Sequence, residues 1–231
     1  MAHILFRYHT PKQSVSNINA PPDFKKLLGD SAWQKLHPAV QRRFADHSLK
    51  TTYSGALNIN ANIFGFIFAL LLSPFGHPLP LYRSAKFDAR VNVFPSPCGG
   101  VVWQREFLRP DKTPLRVESV KQLSPKGHLL ESVKSGPFGG IGMDLELYEH
   151  NGSLCFASTA YFFKIAKLHI PIPNWLTPGR TCVEHIDTQH LHGEGSFRFR
   201  MTMSHKWFGQ TISQDGIFID PFGSKAYGNK A

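Results

Sequence analysis

Apolar and polar residues alternate along much of the chain after its first third. Apolar side chains occupy every second position from Phe87 to Val93, which is the period of a half-buried β-strand. Further strand-like segments follow, joined by turn sequences such as Asn151-Gly152. They cover residues 101–108, 115–123, 129–133, 143–148, 154–163, 181–191, 196–203, 210–213 and 217–222, and the last two are separated by a predicted Asp215-Gly216 turn.

This succession of nine or ten strands, without helices alternating between them, predicts a mainly β fold. An antiparallel sheet of this size avoids exposed edges by closing into a barrel or by pairing as a sandwich. We expect a single antiparallel β-barrel or half-barrel with N-terminal helices and one apolar helix. Three prolines predict an irregular connection over residues 170–179.

Short helical segments precede the strands. The expected helices are 24–28 after the capping residue Asp23, 32–36 after Asp30 or Ser31, and 39–46 with Pro38 in the first turn. We expect residues 1–22 to be a flexible arm, residues 23–222 a single β-rich domain, and residues 223–231 a C-terminal tail.

The longest apolar run, residues 63–72, contains no polar side chain and ends at Ser73-Pro74. A helix needs about 20 apolar residues to span a bilayer, so this run is too short to cross one. We predict a helix that is at least half buried against the sheet. A helix that contacts a membrane surface or gates a ligand is the alternative.

The composition limits the class of protein and its partners. The 231 residues include 26 Lys and Arg against 16 Asp and Glu, for a formal net charge of +10. With 13% aromatic residues, the chain is not disordered, collagen-like or a coiled coil. A basic surface favours anionic partners such as lipid headgroups, acidic ligands or nucleic acid. Nucleic acid is not expected, because Arg198 and Arg200 lie on the opposite strand face from Phe197 and Phe199.

The cysteines and histidines form no recognisable motif. Cys98, Cys155 and Cys182 are far apart and show no CxxC spacing, so we expect three free thiols. The N-terminus has no apolar signal-peptide stretch, so we expect a cytoplasmic protein. The histidines of residues 190–205 lack a metal-ligand framework, and no nucleotide-binding or nucleophile motif is present. We therefore expect no metal and no cofactor.

The segment 103–107 provides the first candidate for a site. In a strand, Trp103, Arg105 and Phe107 share one face, and the aromatic residues indicate that this face points inward. A buried guanidinium needs an anionic partner. That partner is either an acid of this chain (the candidates are Glu184, Asp144 and Glu146) or the carboxylate or phosphate of a ligand. A third possibility is that the Arg105 side chain extends to the barrel rim.

A second candidate lies in residues 182–187. Alternation places Cys182 and Glu184 on one face of this strand and His185 and Asp187 on the other. His185 and Asp187 could form an acid–base pair, although a structural histidine is more common. The candidate ligand-binding residues are Trp103, Arg105, Phe107, Glu184 and His185.

Several segments together resemble a bacterial family known only as a domain of unknown function, with members alone or fused behind saccharopine-dehydrogenase-like or epimerase-like modules. The matching segments are residues 36–44, 70–80, 103–107 and 209–218. The resemblance implies a single cytoplasmic domain, and any redox partner would be a separate protein. The family has no established reaction, so it implies no catalytic residue.

These observations predict a non-catalytic protein whose barrel interior or mouth binds an apolar, anionic small molecule or lipid. Two alternatives are an enzyme with His185 or a carboxylate as general base, and an accessory module that docks on an oxidoreductase. Internal volume lined by Trp103 and Phe107 would favour the ligand. A cleft joining His185, Asp187 and Arg105 would favour the enzyme. An exposed apolar patch on a packed barrel would favour the docking module.

Overall fold

The structure is a computed structural model that describes residues 20–48, 50–79, 81–109, 112–133, 135–136, 139–166 and 168–223. Nearly all of the predicted N-terminal arm, and the predicted tail from residue 224 onward, lie outside the described residues.

Within these residues, the β-strands form one antiparallel sheet that closes on itself. The strands are β1 (Thr51–Ala61), β2 (Ser84–Pro95), β3 (Val101–Arg109), β4 (Lys112–Leu123), β5 (Leu129–Val133), β6 (Gly140–His150), β7 (Ser153–Ile165), β8 (Leu168–Ile172), β9 (Arg180–Asp187), β10 (Ser196–His205) and β11 (Gly209–Ile219). Consecutive strands pair from β1 to β7, then β7 pairs with β9, and β11 returns to pair with β1. Ten strands thus close the barrel, and β8 pairs with the distal half of β7 outside the ring. The predicted mainly β barrel is confirmed.

Two local strand predictions are wrong. The Asp215-Gly216 pair is not a turn but lies inside β11, where a Cβ on Gly216 would overlap the Ala56 carbonyl oxygen of β1. The glycine therefore permits close strand approach instead of a reversal. The predicted strand 181–191 ends at Asp187, because a short helix begins two residues later.

Two strands lie where none was predicted. The inward face of β1 contains Gly55, and only Tyr53, Leu57 and Ile59 of this strand are buried, so its apolar alternation is weak. Strand β8 begins before the predicted irregular connection and takes up its first three residues, 170–172. It pairs with β7 alone, and such an edge strand tolerates a proline like Pro171.

Three N-terminal helices cover one end of the barrel. They are α1 (Phe24–Leu28), α2 (Asp30–Lys35) and α3 (Pro38–Ala45), close to the predicted bounds. Asp23 caps α1 as predicted, since its Oδ1 accepts from the Lys26 amide at 3.0 Å. From α3, Phe44 reaches into the barrel and stacks on Trp103, with 6.0 Å between ring centroids. The helices therefore close this end with aromatic side chains.

The opposite end is covered by α4 (Ile63–Leu72), which confirms the predicted helix. The helix is less buried than predicted. Only Gly65, Ala69 and Leu72 of its residues are buried, and the exposed ones are Ile63, Phe64, Ile67, Leu70 and Leu71. Among the described residues, no helix combines the length and apolarity needed to span a bilayer.

Contact between α4 and β11 depends on Gly65. A Cβ on this residue would overlap the backbone carbonyl of Thr211. Asn62 fixes the start of the helix, because its side chain accepts from the Gly65 amide at 2.8 Å and donates to the Phe208 carbonyl at 3.0 Å. One small residue and one cap thus set the position of α4.

We expect Gly65→Ala to destabilise the protein by about 1–3 kcal/mol, because relieving the overlap requires α4 to move away from β11. Helix propensity acts in the opposite direction by about 1 kcal/mol, so a net loss isolates the packing cost. Urea unfolding measures the change, and Ile67→Ala, at an exposed position of the same helix, is the control. A Gly65→Ala variant as stable as the wild type would contradict this packing.

Candidate ligand-binding site

The barrel interior contains four of the five predicted site residues. Trp103, Arg105, Phe107 and His185 line one internal cavity, as their strand faces predict. Glu184 does not join them. It lies on the outer face of β9 and forms an ion pair with Arg200 of β10.

The acid that meets Arg105 is Glu131 of β5, and none of the three predicted candidates. Arg105 Nη2 lies 3.1 Å from Glu131 Oε1 and also donates to Ser119 Oγ at 3.1 Å. The Ser119 hydroxyl in turn donates to Glu131 Oε1 at 2.6 Å. Strands β3, β4 and β5 are neighbours, so their inward side chains meet directly. Of the expected partners, Glu146 pairs with Arg180, and Asp144 follows the inward Met143 and therefore faces outward.

A second buried cation completes this cluster. Lys121 Nζ lies 2.9 Å from Glu131 Oε2 and 4.9 Å from the centre of the Trp103 ring. Within the described part of the chain, Glu131 is the one carboxylate within 4 Å of either Lys121 or Arg105. Two cations therefore share one anion, and the cluster carries one unmatched positive charge. We call Arg105, Ser119, Lys121 and Glu131 the interior charge cluster.

Burial and neighbouring charges set the ionisation of the cluster. Burial alone would raise the pKa of Glu131, but Lys121 and Arg105 outweigh it and hold this pKa at about 2. Burial lowers the pKa of the Lys121 ammonium, and the facing Glu131 counteracts this. Glu131 is therefore an anion at neutral pH, and with Lys121 and Arg105 both in their charged forms the cluster has one positive charge in surplus.

Several polar side-chain atoms in this region have no hydrogen-bond partner among the described residues. The hydrogen bonds of Arg105 come from Nη2, so its Nε and Nη1 remain available. Trp103 Nε1 and His185 Nδ1 are buried without a hydrogen bond, and the two rings lie 5.7 Å apart. Buried polar atoms of folded proteins are rarely unpaired, so this concentration marks a place where a further group can bind.

Two small cavities lie on either side of Arg105, which lines both. The first measures about 30 Å³ and has mainly aromatic walls. The second measures about 60 Å³ and is lined by residues that include Met143, Met201, Met203, Leu72 and Leu79. A water molecule needs about 10–15 Å³ of such volume, so each cavity accommodates a few waters. A larger guest would have to displace side chains.

The geometry required by the enzyme alternative is not formed. His185 and Asp187 share a strand face, but Asp187 Oδ1 accepts from Gln189 Nε2 at 2.8 Å and lies 3.6 Å from His37 Nδ1. Among the residues that the structure describes, no carboxylate therefore orients the His185 ring. Burial, and then the charge of Arg43, lowers the pKa of His185 well below its usual 6.5, so the ring is neutral.

We expect stability to fall as the pH falls from 6.5 to 4, because of His185 and His47. Burial lowers the pKa of His47 from 6.5 to about 4. The unfolded chain binds protons at these histidines in this range while the folded chain does not, so acid favours unfolding. The contribution of His47 alone lowers the free energy of unfolding by about 3 kcal/mol when the pH reaches 4.

Urea midpoints measured across this range test the effect, and His47→Gln should flatten the profile. His150→Gln, at an exposed position, is the matched control and should leave the profile unchanged. An unaltered pH dependence in His47→Gln would contradict the assignment.

The remaining candidates lie outside the interior. Arg198 and Arg200 pair with Asp215 and Glu184 on the outer face of the barrel, opposite the inward phenylalanines, as predicted. Residues 190–192 lie on the short helix α5 (Gln189–His192) and not on a strand. The described residues contain no group of three or more His, Cys, Asp or Glu that could hold a metal ion. All three cysteines are unpaired.

The sequence reasoning missed Lys121 and Glu131, although a signal exists for each. Glu131 alternates with the apolar Leu129 and Val133, and Lys121 continues the inward positions of Val117 and Ser119. A charged residue in register with buried apolar neighbours indicates a paired interior charge. The missing information was which strands are adjacent, and the topology supplies it.

These features define a class of protein: a closed antiparallel barrel, covered by helices at both ends, with a charge cluster between two internal cavities. The chain belongs to the family described as a domain of unknown function (DUF4166), whose model matches residues 36–218. This range covers nearly the whole barrel. The match confirms the expectation that the chain belongs to a domain-of-unknown-function family. A comparison with curated proteins found no match.

Proposed function

We propose that this protein is a non-catalytic binding protein for a small amphipathic anion, with a carboxylate-like head and an apolar tail. The observation that carries the proposal is the position of Arg105. Its guanidinium lies between the two internal cavities, with unpartnered N–H groups, in a cluster that has one unmatched positive charge.

The head group is inferred from the donors around the aromatic cavity. Arg105 Nε and Nη1, together with Trp103 Nε1, can only donate hydrogen bonds. A carboxylate has two acceptor oxygens for these donors and a negative charge that neutralises the surplus positive charge of the cluster. A neutral guest would satisfy the donors but would leave the surplus charge unmatched.

The tail is inferred from the second cavity. Its wall contains Met143, Met201 and Met203, and unbranched methionine side chains rearrange more easily than branched ones. Leu72 of α4 and Leu79 of the following loop close this cavity. An apolar tail would enter at this end by displacing them, so ligand uptake requires movement of α4 or of its loop.

The other functions have less support. The enzyme alternative lacks an oriented base, because Asp187 contacts Gln189 and not His185. Docking on an oxidoreductase is favoured by the exposed apolar side of α4, but it would leave the interior charge cluster without a role. We propose the cytoplasm as the compartment, since unpaired thiols are typical of a reducing environment.

Native mass spectrometry of the purified protein tests the proposal. The expected spectrum contains a second species whose extra mass disappears on denaturation, and the extracted molecule ionises as a carboxylic acid. The matched control is Arg105→Met, purified in the same way, which should show less of this species. A wild-type spectrum with bare protein alone, even after incubation with octanoate, would contradict the proposal.

A further inference from the structure

The barrel end covered by α4 has an exposed apolar surface. The outer side of α4 is formed by Ile63, Phe64, Ile67, Leu70 and Leu71, which are 39–63% exposed. None of these side chains can form a hydrogen bond. The surface is therefore apolar and has no polar group that would fix the position of a partner.

The neighbouring hairpin extends this surface. Phe208, in the β10–β11 connection, stacks on Phe64 with ring centroids 3.9 Å apart, and the adjacent Trp207 is 66% exposed. Beyond Trp207, a groove of about 580 Å³ separates it from Trp175, which is 57% exposed. We call the exposed side of α4, together with Trp207, Phe208 and Trp175, the apolar end.

The connections around the apolar end contain basic residues but no acidic ones, whereas Glu146 of β6 lines the groove beside them. These connections, residues 62–83, 164–180 and 205–209, contain no Asp or Glu in their sequence. Their basic residues, among those that the structure describes, are Arg83, Lys164, Arg180 and Lys206. Arg180 is paired with Glu146 of β6. At the other end of the barrel, the helices and turns contain seven acidic residues and seven basic ones, so their charges balance. The acidic residues are Asp23, Asp30, Asp46, Glu149, Asp187, Glu194 and Asp220, and the basic ones are Lys25, Lys26, Lys35, Arg42, Arg43, Lys50 and Lys126. The excess of positive charge therefore lies at the apolar end.

We propose that the apolar end docks on the surface of a lipid bilayer that contains anionic lipids, with α4 lying in the plane of the interface. An interfacial helix needs an apolar side that enters the acyl boundary and basic residues that meet the headgroups. Tryptophan is enriched at this depth because its ring is apolar and its N–H is polar. A protein partner would need polar contacts for register, and α4 offers none. This inference does not depend on the proposed ligand.

Sedimentation with vesicles tests the docking. The wild type should bind vesicles of phosphatidylcholine with phosphatidylglycerol more tightly than vesicles of phosphatidylcholine alone, and added salt should weaken binding. Trp175 and Trp207 should shift their fluorescence to the blue on binding. Lys206→Gln removes one cation at the surface and should weaken binding about fivefold.

The variant that isolates α4 is Ile67→Glu with Leu71→Glu. Both residues are exposed, so the fold should be retained, and binding to anionic vesicles should fall by about tenfold or more. Leu191→Glu, which is equally exposed at the opposite end of the barrel, is the matched control and should bind like the wild type.

Three outcomes would overturn the inference. The first is a wild type that stays in the supernatant with every vesicle composition. The second is an Ile67→Glu, Leu71→Glu variant that binds like the wild type. Vesicle binding would then come from the positive charge of the protein and not from α4. The third is a wild-type dimer in solution that this variant dissociates, which would make the apolar end an interface between two copies of the chain.

Discussion

Glu131→Gln is expected to destabilise the folded protein by about 3–5 kcal/mol, because the change removes the counterion that the buried Lys121 shares with the part-buried Arg105. Gln has nearly the same shape as Glu, so the packing of the interior is retained. Arg105 and Lys121 would then face each other across a neutral amide, where desolvation of their charges is no longer offset. Equilibrium unfolding in urea at neutral pH measures the loss.

Two further variants make this result specific to the interior charge cluster. Glu146→Gln, in the exposed pair with Arg180, should cost less than about 1 kcal/mol. Adding Lys121→Met to Glu131→Gln should recover part of the loss, because one uncompensated charge is removed. Equal costs for Glu131→Gln and Glu146→Gln would show that the cluster is not stabilised by charge pairing.

Arg105→Met is expected to have little effect on stability and a large effect on binding. Glu131 retains Lys121 at 2.9 Å and the Ser119 hydroxyl, so the remaining pair is neutral and the free energy of unfolding should change by less than about 1 kcal/mol. Affinity for octanoate should fall about 10- to 100-fold, since a charge-assisted hydrogen bond contributes about 1.5–3 kcal/mol.

Arg200→Met is the matched control for this prediction. Arg200 lies on the outer face of β10 and pairs with Glu184, so the same substitution there should leave octanoate binding unchanged. If Arg105→Met unfolds the protein, Arg105 is a structural counterion of Glu131. If it binds octanoate like the wild type, Arg105 does not hold the ligand.

The fold could be predicted from the sequence wherever alternation or capping is strong. Strand β5 and helix α4 have the predicted bounds. Strand β5 follows a recognisable turn sequence, and the apolar run of α4 ends at Ser73-Pro74. Strand β1 could not be predicted from its own pattern. Gly55 occupies an inward position of β1. A glycine is needed there because β11 packs alongside, and a Cβ would overlap the Ile217 carbonyl.

The sequence could predict which side chains of the candidate site point into the barrel, but it could not predict which of them meet. Alternation along one strand places Arg105 beside Trp103 and Phe107, and it separates His185 from Glu184. The partner of Arg105 could not be predicted, because Glu131 is 26 residues away and meets it across β4. Pairing across a sheet depends on strand order, which a local pattern does not contain.

The exposure of α4 was misjudged for a similar reason. Ten apolar residues predict burial, and the sequence does not show that the contact with β11 is limited to one side of the helix. Gly65 and Ala69 allow close contact on that side, while the other side is exposed except where Phe64 stacks on Phe208.

Calorimetric titration of the wild-type protein with octanoate and with octanol tests the central claim most directly. The two compounds have the same tail and differ in the charge of the head. If Arg105 and the surplus positive charge select an anion, octanoate should bind with one-to-one stoichiometry and at least about tenfold more tightly than octanol. Equal affinities for the two compounds, or no binding of octanoate, would contradict the account.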